Sequence, residues 1–167
     1  MNKNLLIFVV EDNKLYHKLV VDFLQKQGMK RVKSFYTAED CLAAVNKGER
    51  PDIVVEDYHL NDTTGIAVLQ AVKKISKRTE FIFLTSHEDM EVAVNSIKYG
   101  AYDYIIKDND IALKKVYNKI GKISKVIELE KRNRFVRNAM VVSLAILFAI
   151  VIFVALREFF DLFGSAN

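Results

Sequence analysis

The sequence predicts an α/β fold: a doubly wound, five-stranded parallel sheet with helices on both faces, followed by one apolar helix. Three observations carry this. Short apolar runs in the first 110 residues, LLIFVV (Leu5–Val10), DIVVE (Asp52–Glu56), FIFL (Phe81–Leu84) and YII (Tyr104–Ile106), each end in polar residues. Continuous β-branched runs of this length are the signature of buried parallel strands. Helical patterns alternate with these runs, and such alternation calls for right-handed crossovers over a sheet. Finally, the eighteen residues from Ala139 to Leu156 carry no charge.

The elements follow in order. Strand one is Leu5–Val10, and a helix from Lys14 to Gln27 presents Leu15, Leu19, Val20, Phe23 and Leu24 as its apolar face, with Gly28 as a stop. Val32–Tyr36 is a weaker strand. Thr37 caps the next helix, with Asp40 at the capping-box position, and that helix ends near Gly48. Strand three is Asp52–Asp57, and Ile66, Leu69, Val72 and Ile75 stripe the helix after it. Glu80–Thr85 is strand four, Glu88–Tyr99 a helix closed by Gly100, and Tyr102–Ile106 strand five. The last helix starts near Asp110 and carries a stripe of Leu113, Val116, Ile120, Ile123 and Ile127. That stripe is expected to pack on the sheet, with self-association as a homodimer left open beyond Lys122, where the 3-4 spacing could form a coiled-coil seam.

Composition narrows the function classes. A single cysteine, Cys41, rules out an intrachain disulfide and reads as a small buried hydrophobe, and the three histidines lack zinc-site spacing. The net charge of +4 is unevenly placed: nine basic residues between Lys114 and Arg137, opposed by Glu128 and Glu130, leave +7 there and −3 elsewhere. No helix-turn-helix module is expected, because the residues after strand five are taken up by a helix and the apolar segment.

Ala139–Leu156 has Ser143 as its one hydroxyl residue and apolar side chains all round. As a helix it extends about 27 Å, near the hydrocarbon thickness of a bilayer. Nothing else in the chain is long and apolar enough to bury it. Lys131, Arg132, Arg134 and Arg137 lie before it and Arg157 alone after it, so the positive-inside rule keeps residues 1–138 cytoplasmic. Phe159, Phe160 and Phe163 read as an interfacial cluster. The expected organisation is a folded domain over 1–125, a basic juxtamembrane stretch over 126–138, a single-pass transmembrane anchor over 139–156 and a short tail over 157–167. The basic stretch is expected to meet anionic lipid rather than nucleic acid.

The polar residues at the strand ends are Glu11 and Asp12, Asp57, Thr85 and Lys107. Singly, each is an ordinary cap, turn or surface residue. Jointly, they stand where an open α/β sheet binds ligands, beyond the carboxyl ends of its strands. Three carboxylates suit Mg²⁺, which prefers hard oxygens, and a hydroxyl with an ammonium suits a phosphoryl group.

The segments VVEDN (Val9–Asn13), PDIVVEDYHL followed by Gly65, FIFLTS (Phe81–Ser86) and GAYDYIIK (Gly100–Lys107) resemble the receiver domain of two-component response regulators, over residues 3–125. The resemblance implies a flavodoxin-like strand order 2-1-3-4-5, with Asp57 as phosphoryl acceptor. It implies Mg²⁺ held by Glu11, Asp12, Asp57 and the backbone carbonyl of His59. Thr85 and Lys107 would contact the phosphoryl group, and Tyr104 would be the aromatic that turns inward on activation. Phosphate would come from a histidine kinase or phosphotransfer protein and leave by hydrolysis, with an unidentified downstream protein reading the change. A phosphorylation-independent scaffold and a phosphate sink for a membrane kinase are the alternatives.

The chain departs from the family pattern at several points. Asp108 follows Lys107 where proline with a cis bond is usual, which predicts a trans bond and a different setting for Lys107. Asn61 replaces a common proline, and Glu56 stands where an apolar residue is usual, pointing to the opposite face with a charge that could act on Asp57. His59 and His87 occupy positions that flank the phosphoryl group in the family.

Overall fold

The computed structural model describes residues 1–61, 63–86 and 90–164, without the side chains of 90, 109, 110, 158 and 160–164. The element order is β1 (Leu6–Val10), α1 (Lys14–Lys26), β2 (Arg31–Phe35), α2 (Ala38–Asn46), β3 (Ile53–Glu56), α3 (Gly65–Ile75), β4 (Glu80–Thr85), α4 (Met90–Lys98), β5 (Asp103–Ile106) and α5 (Asn109–Gly164). All strand pairings are parallel, in the order β2-β1-β3-β4-β5. The expected fold class and strand order are both observed.

The chain divides into two compact units, Met1–Lys125 and Val126–Asn167. In the first, the central strands are buried on both faces, as their unbroken apolar runs require. One face gathers Leu6, Phe8, Val10, Val54, Phe81 and Phe83 with Ala38, Cys41 and Val45 of α2 and Val68, Leu69 and Val72 of α3. The alternate residues Leu5, Ile7, Val9, Ile53, Val55, Ile82 and Leu84 are also buried, as are Val20 and Leu24 of α1 and Leu113, Val116, Ile120 and Ile123 of α5. Each such side chain contributes about 1.5–3 kcal/mol on burial. The predicted stripe of the last helix is therefore core as far as Ile123.

Local chemistry sets the helix boundaries. The Asn13 side chain accepts from the amides of Leu15 and Tyr16, capping α1, and Thr37 accepts from the Asp40 amide, capping α2. The predicted stops Gly28 and Gly100 take φ of +84° and +97°, a conformation that disfavours a side chain.

Two stripes need correction. On α1 the buried residues are His17, Val20 and Leu24, whereas Leu15 is 84% exposed and Leu19 46%. On α3, Val68 joins Leu69 and Val72 in the core, and Ile75 is exposed. In both cases the covered arc is narrower than the apolar arc of the sequence, because only the side facing the sheet finds a partner.

In the second unit the helical residues expose their apolar side chains all round, from Met140 and Val141 through Phe153 to Leu156 and Phe159. Among the described residues one helix, within Ile111–Arg157, is long and apolar enough to cross a membrane, and none of its most apolar window is buried. The side chains of Phe160 and Phe163 lie outside the described residues.

Candidate functional site

Parallel pairing of β1, β3, β4 and β5 brings the loops after these strands to one edge of the sheet. Backbone bonds then fix them. The Asp57 amide donates to the Val10 carbonyl at 2.9 Å, the Glu11 amide to Phe35 at 3.1 Å, and the Lys107 amide to Thr85 at 2.6 Å. The loop residues are thus held side by side before any side chain contributes.

Side chains complete the site. The Lys107 ammonium lies 2.5 Å from Asp57 Oδ2 and 2.7 Å from Glu11 Oε2. Glu11 and Asp57 are buried at 2% and 7% exposure, so this pair of bonds operates away from bulk water. Asp57 Oδ1 accepts from the His59 amide and Asp12 Oδ2 from the Asn61 amide, both at 3.1 Å. Carboxylate oxygens of Glu11, Asp12 and Asp57 all lie within 4.8 Å of one another. Glu11 Oε1 is buried and has no hydrogen-bond partner among the described residues. A buried lone pair left open beside two further carboxylates fits a hard divalent cation of the Mg²⁺ kind. Burial pushes the Glu11 carboxyl above its ordinary range, with the Asp57 charge adding to the rise and Lys107 opposing it.

Glu11, Asp12, Asp57 and Lys107, together with Asn13, Tyr16, Leu19 and Ser86, line an open cleft of about 880 Å³. Thr85 is fully buried at the end of β4 and is not among the residues that line the cleft, and its backbone carbonyl takes the Lys107 amide. Tyr104 is half-buried on β5, its ring centroid 6.4 Å from that of Tyr58, which in turn packs edge-on to Phe83 and His59. His59 is exposed and bridges to Thr64. His87 lies outside the described residues.

No cis peptide is found among the described residues, and the Asp108 carbonyl instead accepts from the Ala112 amide to open α5. Across this trans linkage Lys107 still reaches both Asp57 and Glu11. Glu56 is fully buried, in register with Val10 and Phe83 on the α2/α3 face. Its charge acts on Cys41, whose thiol is pushed up chiefly by burial and further by Glu56.

Tyr16 has no role in the sequence reading, yet it sits in the cleft. Its ring lies under the Lys107 ammonium, 4.6 Å from ring centroid to Nζ. Burial, then the charges of Glu11, Asp57 and Asp108, push its phenol up to about 12. Its signal in the sequence is its place in the first turn of α1, the helix that follows the acidic pair Glu11-Asp12.

Residues 7–118 match the response regulator receiver domain family. The Regulatory protein LuxO of Vibrio cholerae is 36% identical over 92 residues, 54% of this chain and 20% of that protein. The DNA-binding transcriptional regulator NtrC of Proteus hauseri is 31% identical over 105 residues, 63% of this chain and 22% of that protein. The chain thus spans about a fifth of the length of these curated relatives. Among solved structures, the BeF3-activated DrrB receiver domain is 32% identical with a TM-score of 0.60, covering 71% of this chain and 98% of that one. The receiver domain of a LuxO repressor from Vibrio parahaemolyticus, 22% identical, shares the fold with a TM-score of 0.68 over 77% of this chain and 95% of that one. With its parallel sheet in the order 2-1-3-4-5 and its acidic cleft at the strand ends, the chain belongs to the response regulator receiver domain family of two-component signalling.

Proposed function

We propose that the chain is a phosphorylation switch held at the cytoplasmic face of a membrane, with Asp57 as the phosphoryl acceptor. The observation that carries this reading is the Lys107 ammonium bound to Asp57 and Glu11, beside three carboxylates whose oxygens converge within 4.8 Å. A lone nucleophilic carboxylate among other acids repels an incoming phosphoryl group; a neighbouring cation offsets that repulsion.

The donor is a phosphohistidine of a histidine kinase or phosphotransfer protein. An Asp57 carboxylate oxygen forms the new P–O bond as the P–N bond breaks, and the imidazole nitrogen keeps the electron pair and takes up a proton. Glu11, Asp12, Asp57 and the His59 carbonyl would hold Mg²⁺, which would supply charge stabilisation for the phosphoryl oxygens. Lys107 pairs with a phosphoryl oxygen, and the Thr85 hydroxyl gains an acceptor that the unmodified site lacks. Movement of the β4 end toward that acceptor makes room for Tyr104 to turn inward and change the surface offered to a downstream protein. Hydrolysis breaks the acyl P–O bond, with water supplying the oxygen of inorganic phosphate, and restores the carboxylate.

The anchor rests on the exposed apolar helix and the basic residues preceding it. The deciding experiment incubates the full chain with acetyl phosphate and Mg²⁺ and measures acyl phosphate by intact mass. Wild type is expected to gain one phosphoryl group and Asp57→Asn none; equal behaviour refutes the switch. For the anchor, the full chain is expected in the membrane fraction and to be lost from it on deletion of residues 139–167. A full chain in the soluble fraction, free of aggregate, refutes it.

A further inference from the structure

We propose that the ring of Tyr16 is a seat for the Lys107 ammonium, making Tyr16 a positioning residue for phosphoryl transfer, an inference that rests on the function proposed above. Lys107 Nζ meets Asp57 Oδ2, Glu11 Oε2 and the face of the Tyr16 ring, 4.6 Å away. Two of the three change during the cycle. Asp57 is consumed as an acyl phosphate, and the Glu11 carboxylate would be shared between the lysine at Oε2 and a cation at the open Oε1. The ring face attracts an ammonium through its quadrupole and keeps that character in every state. It is therefore the one anchor of the three whose chemistry is unaltered through the cycle.

The remaining geometry supports a fixed ring. The Tyr16 amide is tied to the capping Asn13 side chain at 3.1 Å. The next residue, His17, is buried and stacked on Tyr36 with centroids 4.1 Å apart, which pins the same turn of α1 from its other side. The Tyr16 hydroxyl is buried without a partner among the described residues. Contact with the site thus runs through the ring face, and the ring is held from its own helix. The Lys107 side chain is 10% exposed, so the cation lies over the ring in a largely desolvated place, where such contacts are strongest. A lysine stem has four rotatable bonds, and a fixed seat removes freedom that would otherwise be lost at the transition state.

The test uses the full chain in phospholipid nanodiscs. The rate of acyl phosphate formation from acetyl phosphate with Mg²⁺ is expected to fall about tenfold in Tyr16→Leu. Tyr16→Phe, which keeps the ring, is expected to recover most of that loss. Tyr16→Leu in a Lys107→Ala background is expected to add nothing, because the ring acts through the lysine. A Tyr16→Leu rate within twofold of wild type overturns the proposal, and so does an equal loss in both backgrounds. A second readout needs no phosphorylation: the ε-methylene protons of Lys107 are expected upfield through the ring current in wild type and Tyr16→Phe, and not in Tyr16→Leu. Lack of that shift in wild type overturns the seat. If wild type forms no acyl phosphate, the proposed function fails, and the methylene shift alone still decides where the ammonium sits.

Discussion

Gly65, the first residue of α3, offers a test in which two known effects have opposite signs. Its amide donates to the Tyr58 carbonyl at 2.9 Å, so the helix starts hard against the end of β3. A methyl group added there would lie 2.5 Å from Cε1 of Phe83 and 3.1 Å from the Asp57 carbonyl oxygen. Phe83 is fully buried in the β-sheet core and cannot swing clear. Replacing Gly with Ala in a helix ordinarily stabilises by about 0.4–1 kcal/mol through the unfolded chain. Overpacking of a dense core costs about 1–3 kcal/mol. At 2.5 Å the steric term dominates, and Gly65→Ala is expected to destabilise by about 1–2 kcal/mol, lowering Tm by roughly 4–8 °C for a domain of this size. Thermal unfolding followed through the tyrosine signal measures it. Phe83→Leu removes the obstructing ring edge, so the double variant is expected to lose less than the sum of the single losses. A rise of Tm in Gly65→Ala would refute the close approach and the packing argument built on it.

Further outcomes follow from the acidic cleft and the core. Free Mg²⁺ at about one hundred times its dissociation constant is expected to stabilise the fold by about 2.7 kcal/mol, and Glu11→Gln to lose most of that gain in thermal titrations. Without added metal, the raised Glu11 carboxyl makes the folded state hold its proton more tightly than the unfolded chain does. Its stabilising contribution is therefore fully present below the ordinary value of 4.5 and lost as pH rises through the raised one. Denaturation across that window is expected to show this slope in wild type and a flatter one in Glu11→Gln. The Cys41 thiol, buried completely and pushed up, is expected to resist a disulfide reagent at mildly alkaline pH until the chain unfolds, and to react fully thereafter.

Strand runs, helix stops and caps were legible because each is a local property of the chain. Val9, Val10, Val54 and Val55 are β-branched and buried where the apolar runs placed them, and Thr37 caps α2 with Asp40 as its spacing implied. Helix faces were harder. Leu15 and Leu19 share the apolar stripe of α1, but the sheet covers the arc of His17, Val20 and Leu24, and hydropathy carries no record of which arc meets a neighbour. Glu56 shows the same limit from the other side: alternation placed it on the face opposite Asp57, while its influence on Cys41 depends on α2 lying against that face.

The cleft divides in the same way. The chain on its own determined which groups stand at the strand ends, since a carboxylate or an ammonium directly after a buried strand must emerge at the sheet edge. The tertiary structure decided what those groups do to one another. Lys107 and Asp57 are fifty residues apart and meet at 2.5 Å, Glu11 is left with one oxygen open, and Tyr16 comes up beneath the lysine from α1. Distances between strand ends depend on sheet order, twist and the helices packed around them, and no local pattern of residues encodes those.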